Sequence, residues 1–279
     1  MLKLIKIQIG GMILKKILFI GAGNMASAIA NGLSKAQIIE NSNIILFDKN
    51  KEQYAKFNPE FSIANDMNCG IEQADYIFIS VKPQNVKEVL SSINVNTDGK
   101  VFISICAGIT IESIESTIKN AKIVRAMPNT PLLIGQGVTA VCKNSKVTDD
   151  EFEFVKGIFS SCGIVTEIEE KDINALTAIT SSSPAYVYLF IKSMLDGAKN
   201  LNFNYENTIN LICKTIIGSA NMILSSDKTP NEQIKMVKSP NGTTERALNV
   251  FEENNFEKII SDAMAACEKR AFELAELNK

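Results

Sequence analysis

The run Ile17-Leu18-Phe19-Ile20-Gly21-Ala22-Gly23-Asn24-Met25-Ala26 decides how this chain begins to fold. Its apolar half shows no alternation, which is how a strand covered by helices on both faces reads. That strand runs straight into G-x-G-x-x-A. In such a turn Gly21 permits the tight bend, Gly23 lets a pyrophosphate approach the backbone, and Ala26 lets the next helix pack close. The free N–H groups at the helix start favour phosphate. Gly21, Ala22, Gly23, Asn24, Met25 and Ala26 are therefore the expected cofactor contacts of a Rossmann-type dinucleotide site. A ligand-free strand-helix turn would look the same locally, so the flanking sequence carries the decision.

Downstream, short β-branched runs at 44–47, 76–81, 101–105, 122–126, 138–142 and 163–168 alternate with amphipathic stretches at 25–34, 72–74, 85–92, 111–116 and 149–160. That order predicts a parallel α/β sheet. Asp48 closes the second strand, where an acidic side chain accepts hydrogen bonds from the adenosine ribose and favours NAD. Lys49 and Lys51 follow at once and suit the 2′-phosphate of NADP, and Asp48 also fits a helix cap. NADPH and NADH both remain open on these residues. After Glu169 the strand candidates stop, and apolar residues recur at three and four over 172–200, 206–226 and 256–277. Leu211, Ile212, Thr215, Ile216, Ser219, Met222 and Ile223 cover more than one face of a helix, which calls for a partner subunit. The expected architecture is an α/β Rossmann-type NAD(P)-binding domain over 12–169, followed by an all-α dimerisation domain over 170–279. Met12 is a candidate start, because 1–11 is a short preface to the first strand.

Composition removes whole classes of chemistry. Among 279 residues there is no histidine, so a Ser-His-Asp triad, a Cys-His pair, a His-bound metal and a histidine general acid are all excluded. No metal site is expected. With 29 basic and 31 acidic residues, the net charge of −2 gives no broad footprint for nucleic acid. Cys69, Cys106, Cys142, Cys162, Cys213 and Cys267 form no C-x-x-C pair and read as reduced thiols of a cytoplasmic protein. The uncharged stretch 17–34 after Lys15-Lys16 superficially resembles a signal or membrane anchor. Asn24, Ser27 and Asn31 within it argue for strand, turn and helix instead, and no membrane role is expected.

At this point a set of motifs resembles one family along most of the chain, that of pyrroline-5-carboxylate reductase. The matching pieces are Gly21 to Ala26, Val81-Lys82-Pro83, Ala107-Gly108-Ile109, Arg125-Ala126-Met127-Pro128-Asn129-Thr130-Pro131, Ser182-Ser183-Pro184-Ala185-Tyr186 and Ser239-Pro240-Asn241-Gly242-Thr243-Thr244. The Met-Pro-Asn-Thr-Pro and Ser-Pro-x-Gly-Thr-Thr segments are much more specific than the glycine turn. The resemblance implies reduction of L-1-pyrroline-5-carboxylate to L-proline with NADPH, or NADH, by a homo-oligomer built from an intertwined dimer. It implies further cofactor contacts from Val81, Lys82, Pro83, Cys106, Ala107, Gly108 and Asn129. Ser239, Gly242, Thr243 and Thr244 would bind the substrate, with Thr244 reaching the ring nitrogen as the catalytic residue, and Glu170 and Thr177 would lie beside it. The residues agree, since Pro240-Asn241-Gly242 is a turn that delivers hydroxyls and N–H groups at a helix start, where a carboxylate is favoured.

This chain departs from the family at Ser181 and Asn241, where relatives have glycine, at Lys238, where they have threonine or serine, and at Gln233-Ile234, where they have leucine-arginine. Lys238 adds a cation beside the proposed carboxylate site, either to help hold the anion or to face solvent. A related β-hydroxyacid-type dehydrogenase would use a catalytic lysine such as Lys171 or Lys192, but no glycine-rich substrate motif precedes them. An imine reductase of other specificity and a non-catalytic NAD(P)-binding regulator are the remaining alternatives.

Overall fold

The computed structural model describes residues 15–277; Met12 lies outside them. They form two compact units, divided between Ser182 and Ser183 and again between Ala266 and Cys267. The segment 170–182 of the expected helical domain thus belongs with the first unit.

The first unit is a sheet of eight strands in the order β3-β2-β1-β4-β5-β6-β7-β8: β1 Ile17–Ile20, β2 Ile44–Phe47, β3 Ser62–Ile63, β4 Tyr76–Ile79, β5 Val101–Ser104, β6 Lys122–Pro128, β7 Gly137–Lys143 and β8 Gly163–Glu167. The helices are α1 Asn24–Ala36, α2 Met67–Gln73, α3 Val86–Ser91, α4 Ile111–Thr117, α5 Asp149–Ser160 and α6 Ile173–Leu176, which runs into a π-turn at Thr177–Ser181. Both sides of β1 are buried, as its unbroken apolar run predicts. Ile17 and Phe19 enter one core and Leu18 and Ile20 the other. Phe19 stacks on Phe78 of the neighbouring strand, ring centroids 4.6 Å apart. Burying one such side chain is worth roughly 1.5–3 kcal/mol, so these strands hold their register firmly.

The wholly parallel sheet expected from the sequence needs one correction. β6 and β7 pair antiparallel, because the connection over 129–136 is too short for the crossover of a dozen or more residues that parallel neighbours need. α2 is longer than the helix expected at 72–74 and begins where Asp66 Oδ1 accepts the Cys69 N–H at 2.9 Å. β3, only two residues long and exposed, has no apolar run to announce it.

The second unit holds α7 Ser183–Asn200, α8 Thr208–Leu224, α9 Pro230–Val237, α10 Thr243–Glu253 and the first part of α11 Phe256–Leu277. α9 opens with a Thr229/Glu232 capping box. Within this unit only Thr208 and Ile212 are buried, while Leu189, Ile217, Met222 and Ile259 are each more than half exposed. A helical body with so little core of its own is built to cover its apolar faces against another chain. Among the described residues no helix is long and apolar enough to cross a membrane.

Candidate active site

Gly21 sits at φ +96°, and a Cβ there would lie 2.8 Å from the carbonyl carbon and oxygen of Ser80. Only glycine allows β1 to turn this close to the end of β4. Gly23 differs: an added Cβ meets nothing within 4 Å, so its outer side is open. Gly23 caps α1 without a side-chain acceptor, and the first turn carries no acidic residue. Its N–H groups are thus left for an anion. A cavity of about 640 Å³ adjoins this turn, lined by Gly21, Gly23, Asp48, Lys49, Val81 and Lys82 among others. An open glycine face, uncapped N–H groups and an adjacent cavity fit the diphosphate and adenosine of a dinucleotide.

Asp48 spends its carboxylate on backbone. Oδ2 accepts the Ala22 N–H at 2.6 Å and Oδ1 the Asn50 N–H at 2.7 Å, so the side chain ties the end of β2 to the glycine turn. Lys49 Nζ pairs with Glu88 Oε1 at 2.8 Å across the cavity rim, and that hydrogen bond holds the Glu88 carboxyl below its usual range. Lys51 is exposed. Lys56, which the sequence reading passed over, donates to Asn24 Oδ1 at 3.0 Å and so stands at the mouth of the turn. No motif spacing marks it; its position depends on the 3-10 turn Lys51–Lys56 folding back towards α1. Lys82 is exposed and precedes the short turn Pro83–Asn85, so Lys82-Pro83 also ends its strand.

Beyond β5, the Cys106 thiol donates to the carbonyls of Ile79 (3.3 Å) and Val81 (3.1 Å). Burial pushes it up to about 12, so it stays a thiol and acts as a structural tie between adjacent strand ends. Ala107 is half-buried, and Gly108 at φ +72° turns against Leu274, whose Cβ would be 3.0 Å from an added Cβ. Asn129 is buried; Nδ2 donates to the Thr180 carbonyl at 3.0 Å and Oδ1 accepts the Val138 N–H at 2.8 Å. Thr177 Oγ1 donates to the Ile173 carbonyl at 2.8 Å within the π-turn. Glu170 Oε1 accepts from Arg125 Nη1 at 3.0 Å and from the Ile111 N–H at 2.8 Å. Arg125 was legible as part of a motif, but not as the partner of Glu170.

In the second unit the 239–244 loop folds onto itself. The Gly242 N–H donates to the Ser239 carbonyl at 3.0 Å, and a Cβ on Gly242 would sit 2.2 Å from Ser239 Oγ. Gly242 is the N-cap of α10 and offers no side chain, leaving the N–H groups of Thr243 and Thr244 beside their own hydroxyls and that of Ser239. Asn241 takes φ +60°, a left-handed conformation that asparagine tolerates in place of glycine. Lys238 ends α9 and pairs with Glu245 Oε1 at 3.5 Å, while Glu245 Oε2 accepts the Asn241 N–H at 2.7 Å. Its extra cation is therefore balanced from within α10.

The sheet order and the glycine turn define a dinucleotide-binding α/β protein of the Rossmann class. A family model described as "NADP oxidoreductase coenzyme F420-dependent" matches residues 16–108, and one described as "Pyrroline-5-carboxylate reductase dimerisation" matches residues 170–274. Pyrroline-5-carboxylate reductase of Pseudomonas aeruginosa is 37% identical over 266 residues, covering 94% of this chain and 97% of its own. The Escherichia coli enzyme is 35% identical, covering 94% and 99%. A crystal structure of Plasmodium falciparum pyrroline carboxylate reductase with NADP bound superimposes with a TM-score of 0.88 at 34% identity, covering 95% of this chain and 100% of that one. This chain belongs to the pyrroline-5-carboxylate reductase family. Its helical region is the family's dimerisation region, which makes the protein a homo-oligomer.

Proposed function

We propose that this protein reduces L-1-pyrroline-5-carboxylate to L-proline at the expense of NADPH, the closing step of proline biosynthesis. The observation that carries this reading is the 37% identity to the Pseudomonas aeruginosa enzyme over 94% of the chain. The cofactor supplies a hydride for the imine carbon. The protein's part is to bind, orient and stabilise charge. Residues 21–26 hold the diphosphate on the first turn of α1, and Val81 to Pro83, Cys106 to Gly108 and Asn129 line the remainder of the cofactor site. Ser239, Gly242, Thr243 and Thr244 bind the substrate carboxylate with hydroxyls and N–H groups. Thr244 hydrogen-bonds the ring nitrogen as its charge is neutralised, its hydroxyl oxygen accepting the N–H of the protonated imine, and Glu170 and Thr177 are further residues assigned to substrate binding. A protonated imine is already electrophilic, so a chain without histidine lacks nothing the step requires.

The NADPH preference rests on the nearby Lys49 and Lys56, which suit a 2′-phosphate, while Asp48 braces the glycine turn through Ala22 and Asn50. The functional division runs over 12–169 for the cofactor and 170–279 for the substrate and the partner chain. The oligomer is built from an intertwined dimer, in keeping with a helical unit that exposes most of its apolar residues. All six cysteines are free thiols, in keeping with a cytoplasmic enzyme.

Purified protein mixed with pyrroline-5-carboxylate and NADPH should deplete nicotinamide absorbance and release proline in equal amount. NADH should support a kcat/KM at least about tenfold lower, equivalent to ~1.4 kcal/mol. Reduction of NADP+ by a β-hydroxyacid, with no oxidation of NADPH by the imine, would replace this reading with the dehydrogenase one. Binding of NADPH without turnover of either would leave only the regulator.

A further inference from the structure

We propose that Arg125 is a positioning residue for the reduction: acting through Glu170, and with Asn129 as a second pin, it fixes the 106–111 turn and the 170–181 segment to the end of β6. Arg125 is the most deeply buried cation of the described residues, with 3% of its side chain exposed. It makes one ion pair, Nη1 to Glu170 Oε1 at 3.0 Å, and its Nη2 is buried without a partner among the described residues. A buried cation that pairs with a partly exposed carboxylate and leaves a donor unsatisfied is a poor way to stabilise a core, because an apolar side chain of similar volume would serve as well or better. Its value lies in what the pair holds in place.

The same Oε1 that faces Arg125 accepts the N–H of Ile111 at 2.8 Å. Ile111 opens α4 directly after the turn that carries Cys106, Ala107 and Gly108. One carboxylate oxygen therefore joins β6, the cofactor-side turn and the start of the 170–181 segment. Four positions along the same strand direction, Asn129 grips the other end of that segment through the Thr180 carbonyl and returns to β7 through the Val138 N–H. Between the two pins lies the π-turn Thr177–Ser181, whose widened ladder sends the Ser182 N–H to the Thr177 carbonyl at 2.9 Å. A π-turn is poorly self-determined, and such turns collect at functional sites. Here its placement is set from outside by two side chains, one within β6 and one just past its end. The consequence for the reaction is geometric, since displacing a reacting group by about 1 Å costs on the order of a hundredfold in rate.

This proposal rests on the reductase reading and is separable from it by experiment. Arg125→Met removes the cation at similar volume, and Arg125→Lys restores one donor towards Glu170. Expected for Arg125→Met is a kcat at least tenfold lower, with the affinity for 2′,5′-ADP unchanged because the adenosine cavity lies elsewhere on the sheet. Arg125→Lys should recover kcat to within threefold of wild type. Glu170→Asp keeps the counter-charge but withdraws the oxygen from Ile111, and should lower kcat about as much as Arg125→Met. The fluorescence of bound NADPH reports the nicotinamide environment without turnover, so it tests the proposal even if the imine is not the substrate. It should shift in Arg125→Met and Glu170→Asp and return in Arg125→Lys. Wild-type kcat and fluorescence in either of those two variants would overturn the proposal. So would a Glu170→Asp enzyme with raised KM for the imine and unchanged kcat, which would make Glu170 a direct substrate contact. Failure of Arg125→Met to fold would leave Arg125→Lys and Glu170→Asp to decide by the same outcomes.

Discussion

Replacing Thr244 with alanine should lower kcat about 30-fold and leave NADPH affinity within about twofold. Thr244 stands in the first turn of α10, behind a glycine cap that supplies no competing acceptor. Its hydroxyl is the group assigned to the imine nitrogen, where charge changes most as the C=N bond is reduced. A hydrogen bond to a charged partner is worth roughly 1.5–3 kcal/mol, and ~2 kcal/mol corresponds to that 30-fold loss. Because the bond fixes the ring nitrogen in line for the hydride while the carboxylate is held by other groups, the loss should fall on kcat rather than on substrate KM. Serine at the same position keeps the hydroxyl and should retain most of the rate. An alanine variant with wild-type turnover at saturating imine would remove Thr244 from the chemical step.

Gly21→Ala should weaken NADPH binding at least a hundredfold and lower the melting temperature as well. Two costs act together. An L-residue at φ +96° is strained by about 1–2 kcal/mol, and the new Cβ would press on the Ser80 backbone at 2.8 Å. Relief requires β1 to move away from β4 at the point where Ser80 Oγ already donates to the carbonyls of Ile20 and Gly21. That movement also shifts Ala22 from Asp48, so the whole phosphate turn loses its support. Gly23→Ala is the control. Its Cβ meets no protein atom, so it should spare the melting temperature and lose affinity only because the methyl group occupies space the diphosphate needs. Equal loss of stability in both variants would contradict this division of roles.

The strands were legible because runs such as 17–20 and 76–79 are apolar on both faces, and a doubly covered sheet imposes that pattern directly. The orientation of β7 was not, since its Gly137 to Lys143 pattern is equally consistent with either direction and only the short link before it decides. α9 carried a readable signal in Thr229-Pro230-Asn231-Glu232, a capping box with proline at the first helical position. In the candidate site, the glycine turn and the 239–244 loop were readable as local segments, each the start of a helix. Long-range partners were not. Arg125 and Glu170 lie 45 positions apart, and Lys56 meets Asn24 over 32; no periodicity links such residues until the sheet order brings them together. Asp48 was placed correctly at the end of its strand, but its bracing hydrogen bonds to Ala22 and Asn50 were not legible there.

The protein's proposed part is to orient and hydrogen-bond the imine for a direct hydride transfer onto its carbon. Turnover with NADPH carrying deuterium on the transferred position of C4, analysed by mass spectrometry and NMR of the proline formed, tests it most directly. One deuterium per proline is expected, located at C5 of a single stereoisomer, and none at that carbon when unlabelled NADPH is used in D2O. Proline without the label, or label taken from solvent at C5, would contradict it.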